Sequence, residues 1–458
     1  MRVIICGVGQ VGKSIAAYLA KEENDVTIID EAQNIAGMIT DDMDVNAVAG
    51  FPSNPDVLNA AGAKEADMII AVTNSDEVNM VACQVGHSLF GIPKKIARIR
   101  AQAYRDPAWS NLFSRSHMPI DVIISPELLI AEDIMRRLSI PGTTSVVSLA
   151  EQKVHLIGVV CTEDCPVLNT QFSQFKGLFP DLSFEIVFIQ RGDKRIIPDG
   201  NDMLEPGDEA YIVLDTRHLR RVMAAFGHLE KEARSIIISG GGNIGFSLIK
   251  TLQRTFHDIQ IKVIEHNERR ARFLSEYLKD IVVLCGTTLD RGLLEESNVS
   301  QAEAYIALTN DDESNILGSL LAKQYGCKRV LTLVNNNAYY PLVGPLGIDV
   351  MISPRATIVS NIMQHVRRGR IRGIHNLRDG FSEVIEAEVS SSSGIVNKKI
   401  GDLDLPREVV FGAIVRDEAV IMPDPEFELK EHDIAIVWST RDKARTVEKM
   451  FSVQVNMV

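Results

Sequence analysis

The sequence offers no apolar run able to cross a bilayer. The longest uncharged stretch, residues 330–348, carries Asn335, Asn336, Asn337, Pro341 and Pro345, which no membrane helix would hold together. Base is in deficit: 48 Lys and Arg against 61 Asp and Glu leave a net charge of −13, which excludes wrapping a nucleic-acid backbone with clustered cations. The six cysteines, at 6, 83, 161, 165, 285 and 327, form no C-x-x-C pair. Cys161 and Cys165 have no histidine pair nearby, so a zinc site is not expected, and free, mostly buried thiols in a reducing compartment are. Met1 runs almost at once into an apolar strand without a basic n-region, so no secretory signal is expected. No Walker loop, H-E-x-x-H or G-x-S-x-G occurs, and none of the ten histidines sits in a motif with a partnering acid. A hydride-transferring enzyme needs a positioned acid or base beside its cofactor, so catalysis is not expected.

What the sequence does have is a long internal repeat. Gly7-Val8-Gly9-Gln10-Val11-Gly12 recurs as Gly240-Gly241-Gly242-Asn243-Ile244-Gly245, and ADMIIAVTNSDEVN (66–79) recurs as AEAYIALTNDDESN (302–315). Ser125-Pro126 returns as Ser353-Pro354, and Ile197-Pro198-Asp199 as Met422-Pro423-Asp424. The 458 residues are therefore two tandem copies of one unit of roughly 230 residues.

Each copy divides again by pattern. In the first, apolar runs at 3–6, 26–29, 68–72 and 96–99 alternate with helical periods such as Val11, Ile15 and Leu19, and the second copy repeats this. Strand–helix alternation predicts an α/β fold with a doubly wound parallel sheet of Rossmann type, once per copy. Ser125-Pro126 and Ser353-Pro354 read as capped helix starts. The helices they open carry apolar stripes, Ile130/Ile134/Leu138 and Ile358/Ile362/Val366, which are expected to pack between subunits of a homo-oligomer. After each helix come short alternating runs and tight turns, such as Glu205-Pro206-Gly207-Asp208, which predict a small α+β domain. The chain order is A–B–A′–B′.

The glycine loops carry the chemistry. Gly7-x-Gly9-x-x-Gly12 stands between a predicted strand and a predicted helix, with Asp30 eighteen residues past the last glycine; in the second copy Glu265 stands twenty past Gly245. That is the dinucleotide fingerprint in its required setting: glycines let a pyrophosphate approach a helix N-terminus, and the acid binds ribose hydroxyls. Asp30 is followed by Glu31 with no base close behind, which disfavours a second ribose phosphate and points to NAD(H) over NADP(H). Glu265 is followed closely by His266, Arg269 and Arg270, so the second loop could hold NAD(H), a more heavily phosphorylated adenine nucleotide, or nothing. Thr73-Asn74 and Thr309-Asn310 follow further apolar runs, where they would either contact ligand at the sheet's carboxyl edge or cap the next helix. Arg98 or Arg100 could reach a pyrophosphate, whereas the position matching Arg98 in the second copy is read as Thr332.

These residues closely resemble the TrkA family, cytoplasmic regulatory subunits of bacterial Trk potassium uptake. The likeness runs along the chain through GVGQVG with VTIID, ADMIIAVTNSDEVNMVACQVGHSLF with KIARIR, and GGGNIG with ALTNDDESNI. It implies nucleotide-binding KTN/RCK domains at 1–125 and 232–352. A crossover helix with an RCK C-terminal domain follows each, at 126–228 and 353–458. It also implies a homo-oligomeric, tetrameric ring on the inner face of the cell membrane, under a Trk-type potassium-translocating subunit, with NAD(H) and possibly ATP or ADP as regulators. Carried over residue by residue, the first site is Gly7, Val8, Gly9, Gln10, Val11, Asp30, Thr73, Asn74 and Arg98, and the second is Gly240, Gly241, Gly242, Asn243, Ile244, Glu265, Thr309 and Asn310. One departure is that Gly50-Phe51-Pro52-Ser53-Asn54-Pro55 replaces the turn that the second copy keeps as Gly286-Thr287-Thr288-Leu289-Asp290. The leading reading is a non-enzymatic potassium-transport regulator; the alternatives are an NAD-dependent oxidoreductase and a nucleotide-binding scaffold unconnected with transport.

Overall fold

The apolar runs of the first copy become the strands Arg2–Cys6 (β1), Asp25–Asp30 (β2), Met68–Ala71 (β4) and Lys94–Arg98 (β5), joined by two short strands that periodicity did not disclose, Asn46–Ala49 (β3) and Val122–Ile124 (β6). A computed structural model describes residues 1–22, 24–32, 43–192, 194–366, 371–377 and 381–452. All six strands run parallel in the order β3-β2-β1-β4-β5-β6, so the winding direction reverses between β1 and β4. In open sheets of this kind such a reversal marks the carboxyl edge of the strands, here that of β1, as the place where ligands bind. Alternate side chains of β1 serve opposite faces. Val3 and Ile5 join one core with Ile15 and Leu19, and Ile4 and Cys6 join another with Leu58, Met80 and Cys83.

The second copy repeats this arrangement with Ser235–Ser239 (β12), Gln260–Glu265 (β13), Ile281–Cys285 (β14), Ala304–Ala307 (β15), Val330–Leu333 (β16) and Val350–Ile352 (β17), in the order β14-β13-β12-β15-β16-β17.

Contacts divide the chain into two compact units, and the division does not follow chain order. One unit joins 1–134 with 235–366, and the other joins 135–234 with 367–458. A therefore belongs with A′ and B with B′. Within the first unit the helix Pro354–Val366, from the second copy, lies on the first copy's sheet. Its Ile358, Ile362 and Val366 share a core with Ile15 and Leu19 of helix Gln10–Lys21. The other stripe, Ile130, Ile134 and Leu138 on helix Pro126–Ser139, is also buried within the chain. This corrects the expectation that the two stripes form subunit contacts: both are already covered inside one chain. Ser353 caps its helix as expected, accepting from the Ala356 N–H at 3.2 Å.

The second unit contains two antiparallel sheets. Thr143–Leu149 (β7), Val154–Val160 (β8), Phe184–Arg191 (β9), Lys194–Ile196 (β10) and Glu209–Asp215 (β11) pair in the order β10-β9-β11-β8-β7. Ile371–Asn376 (β18), Ser382–Glu388 (β19), Val409–Arg416 (β20), Ala419–Ile421 (β21) and Ile434–Thr440 (β22) pair in the order β18-β19-β22-β20-β21. The two sheets share one core, in which Phe188 stacks on Tyr211 at 4.1 Å and on Trp438 at 4.9 Å between ring centroids. Ala150 N–H donates to Glu386 Oε2 across the two copies at 2.9 Å.

Candidate functional site

The first glycine loop is shaped by what a side chain would strike. Gly7 has φ +97°, and a β-carbon there would stand 2.9 Å from the backbone of Thr73; one on Gly12 would stand 1.9 Å from the carbonyl oxygen of Gly7. Gly9 is different. A β-carbon on it meets nothing within 4 Å, and its backbone is extended at the N-cap of helix Gln10–Lys21. Gly9 offers no side-chain cap to that helix and no acid occupies its first turn, so Gln10 and Val11 begin a helix whose positive end has no capping side chain from its own N-cap. Asp30, at the end of β2, accepts from the Val8 N–H at 2.7 Å and from the Ala32 N–H at 3.0 Å. The carboxylate is thereby fixed against the turn at the sheet's carboxyl edge.

The second loop reproduces each feature. Gly240 has φ +103°, a β-carbon on Gly245 would stand 2.2 Å from the Gly240 oxygen, and one on Gly242 would meet nothing within 4 Å. Asn243 and Ile244 start an equally uncapped helix, Asn243–Thr255. Glu265 accepts from the Gly241 N–H and the Asn267 N–H, both at 2.8 Å, and its longer side chain reaches the position that Asp30 reaches in the first copy. The altered turn after β3 does not disturb this frame: Gly50 N–H donates to the Asp30 carbonyl at 2.8 Å, just as Gly286 N–H donates to the Glu265 carbonyl at 3.0 Å.

Thr73 and Thr309 lie beside the first glycine of each loop, but they do not cap the helices that follow, and neither do Asn74 and Asn310. The caps are Ser75, which accepts from the Val78 N–H, and Asp311, which accepts from the Ser314 N–H. The capping reading of the Thr-Asn pairs is thus overturned. Thr73 is held instead by Asn79, a fully buried residue that sequence reasoning passed over, and Thr309 by its counterpart Asn315. The signal was present in the repeat, where each Thr is followed six residues on by Asn. Also missed were Asp76, which accepts from the Arg100 and Ala101 N–H groups, and Asp312, which accepts from those of Asn335 and Asn336.

Arg98 ends β5, two strands from β1, and its buried Nε has no hydrogen-bond partner among the described residues. Asn79 donates to the Arg98 carbonyl as Asn315 donates to that of Leu333, so the residue matching Arg98 is Leu333 and not Thr332. Thr332 is buried and donates to Ser319. Arg100 lies farther out, 3.4 Å from the Asn74 side-chain oxygen.

All six cysteines are free, and only Cys285 is exposed. Among the described residues no group of three or more His, Cys, Asp or Glu could hold a metal ion, and no helix is long and apolar enough to cross a membrane.

Comparison with known proteins places this geometry. The TrkA-N domain model matches residues 3–126 and 236–354, and the TrkA-C domain model matches residues 156–227 and 384–452. The chain is 47% identical over 455 residues to the Trk system potassium uptake protein TrkA of Azorhizobium caulinodans, covering 99% of each chain. It is 42% identical over 458 residues to the protein of the same name from Halomonas elongata, again covering 99% of each. Among solved structures, the GsuK RCK domain superposes with a TM-score of 0.59 at 18% identity, covering 98% of this chain and 94% of that one. The GsuK channel bound to NAD gives the same score and identity over 98% of this chain and 78% of that one. At that identity the likeness is one of fold.

Proposed function

This chain belongs to the TrkA family of Trk system potassium uptake proteins, and on that premise we propose that it is a non-enzymatic regulatory subunit that senses adenine nucleotides. It acts from the inner face of the cell membrane on a potassium-translocating subunit of the Trk type, as a homo-oligomeric ring. The observation that carries the nucleotide reading is the pinned acid. In both copies a carboxylate is held by backbone N–H groups beside a glycine turn whose helix end is uncapped. One feature suits ribose hydroxyls and the other suits a pyrophosphate. Gly7–Val11, Asp30, Thr73, Asn74 and Arg98 form the first site, which takes NAD(H). Gly240–Ile244, Glu265, Thr309 and Asn310 form the second, which takes ATP or ADP.

A ligand shifts a two-state regulator only by binding one state better, and the resulting coupling is reciprocal, commonly about 1–3 kcal/mol. Potassium flux into vesicles carrying this chain and a Trk-type translocating subunit is expected to change on adding NADH or ATP. Flux that ignores both nucleotides while binding is intact would make the ligands structural and end the sensing reading.

A further inference from the structure

The two loops differ in the residue that follows their last glycine. The first helix carries Lys13 directly after Gly12, and the second carries Phe246 directly after Gly245. In the second copy the charge comes instead from the following helix, Glu268–Tyr277. Arg270 Nε donates to the Gly241 carbonyl at 2.7 Å and its Nη2 to the Gly242 carbonyl at 3.2 Å. The guanidinium also lies 5.6 Å from the ring centre of Phe246 and 4.9 Å from that of Phe273. It is therefore held on the rim of the glycine turn by two carbonyls and two aromatic rings. A guanidinium has five N–H donors, so this arrangement leaves others for a ligand.

The position has an electrostatic consequence. Glu265, almost fully buried, would repel a polyphosphate close to the ribose it binds. The Arg270 guanidinium, fixed on the carbonyl of the same Gly241 whose N–H Glu265 accepts, offsets that charge and adds to the uncapped helix end behind Gly242, where a β-carbon would meet nothing within 4 Å.

We propose that Arg270 is the phosphate-recognition residue of the second loop, holding the diphosphate of an adenine nucleotide at the start of helix Asn243–Thr255. This rests on the nucleotide reading of that loop and adds the residue that selects phosphorylated ligands over the bare nucleoside.

The test uses the full chain with Gly9→Val, which silences the first loop, and measures ADP and adenosine by calorimetry. Arg270→Gln removes the charge, and Arg270→Lys keeps the charge without the fork. ADP affinity is expected to fall about tenfold or more in Arg270→Gln, the equivalent of one charge-assisted hydrogen bond, with adenosine affinity unchanged. Arg270→Lys is expected to fall between, and it carries the comparison if Arg270→Gln melts early. Equal losses for ADP and adenosine would mean that Arg270 only shapes the turn, and no loss of ADP would mean that it contacts no phosphate; either overturns the proposal. Failure of the Gly9→Val parent to bind ADP at all overturns the reading of the second loop itself, and the role of Arg270 with it.

Discussion

The side-chain oxygen of Asn79 accepts from both the N–H and the hydroxyl of Thr73, at 2.9 and 2.7 Å, while its amide nitrogen donates to the Arg98 carbonyl at 2.9 Å. One buried amide thus ties the carboxyl ends of β4 and β5 together. Asn79→Ala leaves those groups without their partner, at an expected cost of about 1–3 kcal/mol. Denaturant unfolding should show that loss, and NADH affinity at the first loop should fall because Thr73 is no longer held. Unchanged stability and binding would show that the amide is dispensable.

Gly9 and Gly12 should separate binding from folding. A β-carbon on Gly12 would stand 1.9 Å from backbone, whereas one on Gly9 meets nothing. Gly12→Ala is therefore expected to lower the melting temperature of the first unit. Gly9→Val should leave melting nearly unchanged and abolish NADH binding, because its side chain occupies the space before the helix end. Circular dichroism and an NADH titration on both variants decide it; retained binding in Gly9→Val would remove the loop from the site.

Ile362 is fully buried in the core it shares with Ile15 and Leu19. Ile362→Ala should cost about 2–5 kcal/mol as a core truncation. Light scattering should give the same assembly mass for the variant and the parent. Dissociation into smaller species without loss of chain stability would restore the stripe as a subunit contact.

Acid should weaken the second unit through two histidines. Burial lowers His155, with a smaller contribution from Arg136. Burial and then Arg136 push His375 down to about 4 from an ordinary 6.5. Both are neutral in the folded chain at pH values where the unfolded chain is protonated. Their contribution is therefore fully present above about pH 6.5 and is lost as pH falls from there through the folded values. Urea midpoints measured between pH 7 and 4 should decline, and the decline should be shallower in His375→Gln. An equal slope in parent and variant would assign the acid loss to other groups.

The geometry of the candidate site was legible in the sequence where it is local. A glycine at positive φ, an extended glycine before a helix and an acid at the end of the next strand are each set by a few neighbouring residues, and their repetition in both copies separated them from chance. Asn79 was not legible, and Arg270 was legible only as a cation close behind Glu265, not as a partner of the glycine turn. Each acts through partners 6 to 29 residues away in the chain, Thr73 and Arg98 for the first and Gly241 and Gly242 for the second, that only the packed structure brings within bonding distance. The matching of Arg98 with Leu333 was missed for a related reason: strand register is set by pairing, and counting along the chain had given Thr332.

By itself the sequence determined the duplication, the strand–helix alternation and the two acid-bearing glycine turns, because periodicity, turn geometry and short spacings are written in consecutive residues. Only the tertiary structure decided that A joins A′ and B joins B′, and that the stripe of helix Pro354–Val366 is spent on the first copy's sheet. Amphipathic stripes declare that a face must leave water; which apolar surface covers it is settled by shape and burial among residues hundreds apart, and nothing in the local pattern names the partner.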